Sequence, residues 1–380
     1  MKTIDEINEK IRSGKVAVAT AEELIESVKS NGVSETAKKI DVVTTATFGP
    51  MCSSGAVLNL GHSEPPIRMS KIFLNGVEAY GGIAAVDTYI GATQQSENPN
   101  YGGAHVIEDL VRGKSVTLKA LSQGTDCYPR KEIETTINLE SINQAYLFNP
   151  RNAYQNYGAA TNTSSKTIKT YMGTLLPNCA NITFSTSGEL SPLLKDPDMR
   201  SIGVGTHIFL GGTDGYIAWD GTQSTFNSAE LENGSMWHAG ATLALIGNLK
   251  KMDSRFLRAA VYDGYGVSLF VGVGIPIPVL DEDLCKQLAV DNAHLFTRIY
   301  DYSVQSRTRP SFRIVSYEEL FSGEVELQGK KVKSASLSSV SRAREIAQLL
   351  KQQISSGQFF LTNAVKTFDR TTNKPLEIRM

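Results

Sequence analysis

The chain has 380 residues, of which 41% are hydrophobic and 20% charged, with 38 basic and 39 acidic side chains. That is a soluble globular composition, large enough for one big domain or several lobes. A formal net charge of −1 supplies no bulk field toward nucleic acid or anionic lipid, and four scattered cysteines are too few for a disulfide-stapled scaffold.

Met1-Lys2-Thr3-Ile4-Asp5-Glu6 lacks the apolar stretch of a secretory signal. The longest apolar candidate for a membrane span, residues 265–280, falls short of the ~20 residues a spanning helix needs and is broken by Gly272, Gly274, Pro276 and Pro278. The expectation is a cytoplasmic protein with reduced thiols and no membrane association. Residues 3–40 predict two short helices, the second with Thr20 as N-cap ahead of Glu22 and Glu23, and Gly32 near its end. Residues 41–48 are rich in β-branched side chains and predict a strand that Gly49-Pro50 ends. Short strands and glycine turns are expected over 71–90, and a strand over 116–121 that enters the loop 124–127.

From 133 to 220 the chain is polar, with short β-type pieces at 182–184, 202–204 and 207–210. Residues 239–260 and 281–298 read as helical, and 318–333 as a linker or an exposed hairpin. The glycine-rich run 203–215 and the segment Tyr262-Asp263-Gly264-Tyr265-Gly266 read either as ligand-approaching loops or as tight turns between strands. Val340, Ala343, Ile346, Ala347, Leu350 and Ile354 form one face of a helix that Gly357 stops. The fold class is therefore α/β or α+β, with mixed sheets, surrounding helices and long glycine-rich loops. Residues 1–330 are expected to form a catalytic region of one or two lobes, with 331–380 a helix and tail packed on it.

No G-x-G-x-x-G, H-E-x-x-H or C-x-x-C occurs, and Gly113-Lys114-Ser115 lacks the upstream glycine of a phosphate-binding loop because Glu108 stands there. No metal or cofactor site is expected in this chain. Two cysteines have unusual surroundings. Cys52 follows the 41–48 strand in a loop beyond a strand's carboxyl end, where Ser53, Ser54 and backbone N–H groups can face an anion. Cys127 lies close to Arg130 and Lys131, cations that favour thiolate, and to Asp126, which opposes them. Cys179 and Cys285 read as small buried hydrophobes. Arg130, Arg307 and Arg309 are the candidate carboxylate clamps, and His62, just after the Cys52 loop, is the acid/base candidate.

Thr44-Thr45-Ala46-Thr47-Phe48-Gly49-Pro50-Met51-Cys52-Ser53-Ser54-Gly55 and Gly124-Thr125-Asp126-Cys127-Tyr128-Pro129-Arg130 resemble the two cysteine motifs of the homocysteine biosynthesis family. That family comprises the L-aspartate semialdehyde sulfurtransferases of methanogens and other anaerobes, and the likeness extends through 203–221 to Gln358-Phe359-Phe360-Leu361-Thr362. Some members continue into a paired nucleotide-sensing (CBS) module, and this chain is expected to be the short form without it.

The resemblance implies conversion of aspartate semialdehyde to homocysteine, with Cys52 and Cys127 as the functional thiols and electrons from an iron–sulfur partner of ferredoxin type. Cys127 is assigned as the persulfide-bearing nucleophile and Cys52 as its resolving thiol, an order open to reversal. Both are expected in one pocket. A homodimer is the default assembly. The competing readings are a cysteine acyl or group transferase working through a thioester and a non-catalytic small-molecule-binding protein.

Overall fold

The computed structural model describes residues 1–152, 158–224, 228–238, 241–306, 308–369, 374 and 376–377. It opens with α1 (Ile4–Arg12), β1 (Val18–Thr20), α2 (Ala21–Asn31) and α3 (Val33–Lys39), one helix more than expected. Thr3 and Thr20 close capping boxes with Glu6 and Glu23, so side chains satisfy amide groups that each first turn leaves unpaired. The strands β2 (Val42–Pro50), β3 (Gly55–Asn59), β4 (Lys71–Leu74), β5 (Val77–Ala79) and β6 (Asp87–Gly91) follow, then α4 (Gly103–Val111). Next come β7 (Val116–Leu121), β8 (Glu132–Ile137), β9 (Gln144–Asn152), β10 (Ala159–Thr161), β11 (Ile168–Thr170), β12 (Gly173–Leu175) and β13 (Asn181–Phe184).

After α5 (Pro192–Lys195), the chain runs through β14 (His207–Leu210), β15 (Thr213–Asp220), β16 (Ser228–Glu230), β17 (Met236–His238), β18 (Leu243–Asn248), β19 (Leu257–Tyr262) and β20 (Gly266–Pro278). It finishes with α6 (Glu282–Leu288), β21 (Phe296–Asp301), β22 (Ser311–Ser316), α7 (Tyr317–Phe321), β23 (Glu324–Leu327), β24 (Lys330–Ser336) and α8 (Val340–Ser355).

The fold is mixed α/β, as the composition of elements predicted. Its main sheet has ten strands, in the order β1-β2-β20-β14-β15-β18-β9-β3-β6 with β19 alongside β20. A six-stranded sheet runs β22-β21-β10-β13-β24-β23 and a four-stranded one β5-β4-β7-β8. The helix expected over 239–260 is instead β18 and β19, with 239–240 outside the described residues. Leu243 and Leu245 alternate into the core, and pairing with β15 and β9 on both sides overrides local helix propensity. Within 281–298 only Glu282–Leu288 is helical, and Arg298 already lies in β21.

The apolar run 265–280 becomes β20, the strand that joins β2 to the rest of the main sheet. Pro276 and Pro278 fall beyond its rungs with β14 and β19, where only β2 pairs with it, so their missing N–H groups break no second ladder. Gly272 and Gly274 leave room for α8, since a Cβ at either would stand 2.9 and 3.1 Å from Ile346. The helix therefore packs directly on β2 and β20, burying Ile346 and Leu350 in a core shared with Ile7 and Leu24. The segment 318–333 includes a hairpin, β23–β24, and β24 also pairs with β13. The boundary expected at residue 331 thus falls inside a strand of the six-stranded sheet.

Candidate active site

Cys52 stands at the corner of a tight turn where β2 hands over to β3. The turn is closed by the Ser54 N–H donating to the Met51 carbonyl at 3.0 Å, and the Met51 N–H anchors it to Leu269 of β20. Asn149 of β9 braces it from below. This fully buried amide donates from Nδ2 to Ser54 Oγ at 2.7 Å, and its Oδ1 accepts from Ser53 Oγ at 3.0 Å and from the Arg151 N–H at 2.9 Å. Ser53 Oγ also lies 2.8 Å from the Arg151 carbonyl. The hydroxyls of Ser53 and Ser54, expected to face an anion, are therefore turned to holding the loop. The backbone N–H groups of Cys52 and Ser53 face the Cys52 sulfur instead.

The thiol opens into a cavity of about 410 Å³ whose wall includes Tyr171, Tyr262, Tyr265, Ser268, Arg151 and Arg309. Burial pushes the Cys52 thiol above its ordinary pKa, with the Arg151 guanidinium and the two N–H groups opposing the shift. Burial, and then the neighbouring Cys52, also raise the pKa values of Tyr262 and Tyr265, so both phenols stay protonated at neutral pH. Three buried polar atoms in this wall have no hydrogen-bond partner: Tyr262 Oη, Ser268 Oγ and Arg309 Nε. Leaving such groups unpaired is costly, and here all three belong to residues that line one space. The Arg309 guanidinium lies 4.1 Å from the centroid of Tyr302, and Tyr302 meets Tyr171 edge-on.

The other candidates are placed differently. Cys127 is exposed in the β7–β8 hairpin, with Thr125 Oγ1 3.6 Å from its sulfur. The neighbouring Tyr128 stacks on His62, so His62 belongs to the Cys127 hairpin and not to the Cys52 cavity. Arg130 donates from Nε to the Pro65 carbonyl and from Nη2 to the Glu64 carbonyl. It braces that loop and does not line the cavity. The hairpin therefore sits beyond the Asn59 end of β3, while Cys52 precedes its Gly55 end, about 13 Å of strand away at ~3.3 Å per residue. The expectation that both thiols share one pocket is corrected: β3 lies between them.

Arg309 lines the cavity, and Arg307 is outside the described residues. Cys179 and Cys285 are buried. Among the described residues no group of three or more His, Cys, Asp or Glu side chains could hold a metal ion, and no helix is long and apolar enough to cross a membrane.

Arg151, Asn149 and the tyrosines had no motif to announce them. Tyr262 and Tyr265 flank the segment read either as a ligand-approaching loop or as a tight turn; it is a tight turn between β19 and β20, and both tyrosines line the cavity.

An accessible thiol beside two arginines in one cavity is an arrangement suited to group transfer. Comparison with known proteins narrows the class. The family model described as homocysteine biosynthesis enzyme, sulfur-incorporation, matches residues 16–361, and the chain belongs to that family. It is 52% identical over 371 residues to the L-aspartate semialdehyde sulfurtransferase of Methanosarcina acetivorans, covering 97% of this chain and 72% of that one. To the protein of the same name in Methanocaldococcus jannaschii it is 49% identical over 394 aligned positions, covering 99% and 75%. An uncharacterized protein of Methanothermobacter thermautotrophicus is 31% identical over 333 residues, covering 85% and 72%. No solved structure matches the chain. The protein is a sulfurtransferase of homocysteine biosynthesis.

Proposed function

We propose that the chain converts L-aspartate 4-semialdehyde to L-homocysteine in the Cys52 cavity, with Cys52 as the sulfur-carrying thiol. The observation that carries this reading is the convergence on one space of an accessible thiol, two arginines, and Tyr262 and Ser268, whose hydroxyls have no partner within the protein. A small amino-acid aldehyde has the matching groups. Its carboxylate pairs with Arg309 or Arg151, its ammonium lies against the tyrosine wall, and its carbonyl oxygen accepts from Tyr262.

The terminal sulfur of a Cys52 persulfide attacks the aldehyde carbon while Tyr262 gives its proton to the oxygen, forming Sγ–S–CH(OH)R. Two electrons and two protons cleave the S–S bond, releasing the Cys52 thiol and a thiohemiacetal. Loss of water gives a thioaldehyde, and two more electrons with two protons give the product thiol. All four electrons come from outside the cavity, and an iron–sulfur partner of ferredoxin type is the proposed source. Free thiols of this kind suit a reducing, cytoplasmic setting.

Placing Cys52 in this role reverses the order inferred from sequence. Cys127, exposed on its hairpin, is better placed to meet another macromolecule than the substrate. The test is homocysteine formation from aspartate semialdehyde by the chain whose Cys52 has been loaded with sulfane sulfur from polysulfide, with titanium(III) citrate supplying the electrons. Cys52→Ser is expected to lower it by at least about a thousandfold, with loss of label from a persulfide-selective probe at residue 52. Retained activity in Cys52→Ser would overturn the reading.

A further inference from the structure

Cys52, Ser53, Arg151 and Tyr265 line two spaces at once. One is the tyrosine-walled cavity. The other is an open groove of about 400 Å³ completed by Thr93, Gln95, Gly266 and Val267. Val267 and Ser268 are successive residues of β20, and successive strand residues point to opposite faces. Val267 lines the groove and Ser268 the cavity, so the two spaces open on opposite sides of the strand with Cys52 between them.

An attacking thiolate must approach a disulfide sulfur along the line of the bond that breaks. When the substrate is held in the cavity as Sγ–S–CH(OH)R, the rear of Sγ is open to the groove. We propose that the Thr93–Gln95 groove admits a cysteine thiol borne on a peptide, which attacks Cys52 Sγ from the side away from the substrate. This deepens the function proposed above and rests on Cys52 being the sulfur carrier. The incoming thiolate forms a new S–Sγ bond, the old Sγ–S bond breaks, and its electron pair leaves with the substrate sulfur, which takes a proton to become the thiohemiacetal. A second thiol of the same partner then displaces Cys52, leaving a disulfide on the partner that two electrons and two protons from the iron–sulfur source reduce.

The groove suits such a visitor. Thr93 and Gln95 are exposed, neutral hydrogen-bonding side chains, and the volume holds a cysteine with its flanking peptide units. Cys127 of the same chain does not reach the groove, because it lies beyond the far end of β3.

The experiment uses the full chain with Cys127→Ser, Cys52 loaded with homocysteine as a mixed disulfide by reaction with homocystine, and glutathione as the peptide thiol. Intact mass is expected to show glutathione transferred to Cys52 and homocysteine released free. Thr93→Trp/Gln95→Trp is expected to slow that release at least about tenfold while altering release by hydrosulfide less than about threefold. Where a thermal melt shows the double variant unfolded, Gln95→Trp alone is read in the same way. A free Cys52 with a glutathione–homocysteine disulfide in solution would place the attack on the cavity side and overturn the proposal. So would a groove variant with an unchanged rate. Failure of Cys52 to load with homocysteine, or retained activity of Cys52→Ser, would instead overturn the underlying substrate reading.

Discussion

Tyr262 combines a raised pKa, caused by burial and by Cys52, with a hydroxyl that has no partner. Deleting an unpaired buried hydroxyl is neutral or stabilising. Tyr262→Phe is therefore expected to leave thermal stability unchanged or higher by up to about 1 kcal/mol, while lowering kcat by about 10- to 100-fold. Melting curves and the homocysteine assay on the same variant check both halves, and a joint loss would show that the hydroxyl is structural.

Arg151 acts on the thiol through charge. Because burial holds the Cys52 pKa above the usual thiol value, the thiolate is the minor form at neutral pH and its alkylation rate rises with pH. Arg151→Gln removes the opposing cation, so the midpoint of the pH–rate curve moves further up. Iodoacetamide labelling at pH 7 is expected to slow by about three- to tenfold, with the rates converging at the high-pH plateau. At this scale the sequence was informative about Cys52, whose place after a β-branched strand puts it in a turn that lines a cavity. The bracing of Ser53 and Ser54 could not be read there, because the residue that engages them, Asn149, lies almost a hundred positions away and reaches them only through strand pairing.

Among the elements, the Met51–Ser54 turn and β9 form one unit. Asn149 is fully buried and engages Ser53, Ser54 and the Arg151 N–H together, so its removal strands several buried polar groups. Asn149→Ala is expected to cost about 2–3 kcal/mol in chemical denaturation. It should also lower sulfur-transfer activity beyond what that loss explains, because Cys52 loses its fixed position. A variant with normal stability would show that the turn is held by its backbone contacts to Met51 and Leu269 alone.

Elements whose pattern is set locally were readable. Strand β2 has its β-branched run, α2 its capping box, and α8 its apolar stripe with Gly357 at φ +73° after it. The region 243–262 was not. Alanine, leucine and lysine there carry helical propensity, and only pairing with β15, β9 and β20 makes it sheet. The arginines and tyrosines of the cavity come from β9, β11–β12, β19–β20 and the β21–β22 connection, a convergence that no single stretch of sequence encodes.

For the molecule as a whole, the two exposed thiols are held apart by β3. A disulfide requires Cα atoms within ~7 Å, so oxidation in air cannot join Cys52 to Cys127 without unfolding this region. The expected oxidised product is a pair of chains linked through Cys127, seen on a non-reducing gel and absent from Cys127→Ser. Peptide mapping that found Cys52 bonded to Cys127 within a monomer would contradict the arrangement.

The order of strands in the main sheet also bears on how the protein is made. Val42 of β2 is matched to Pro278 of β20, and among the described residues β2 meets no other strand except the three-residue β1. A ribosome has therefore released Cys52 and its turn long before it supplies the strand that holds them. Until then β2 is a bare edge open to pairing with other chains. The reactive thiol becomes seated only late in synthesis, which makes the nascent chain, more than the finished enzyme, the species most exposed to aggregation and to oxidants.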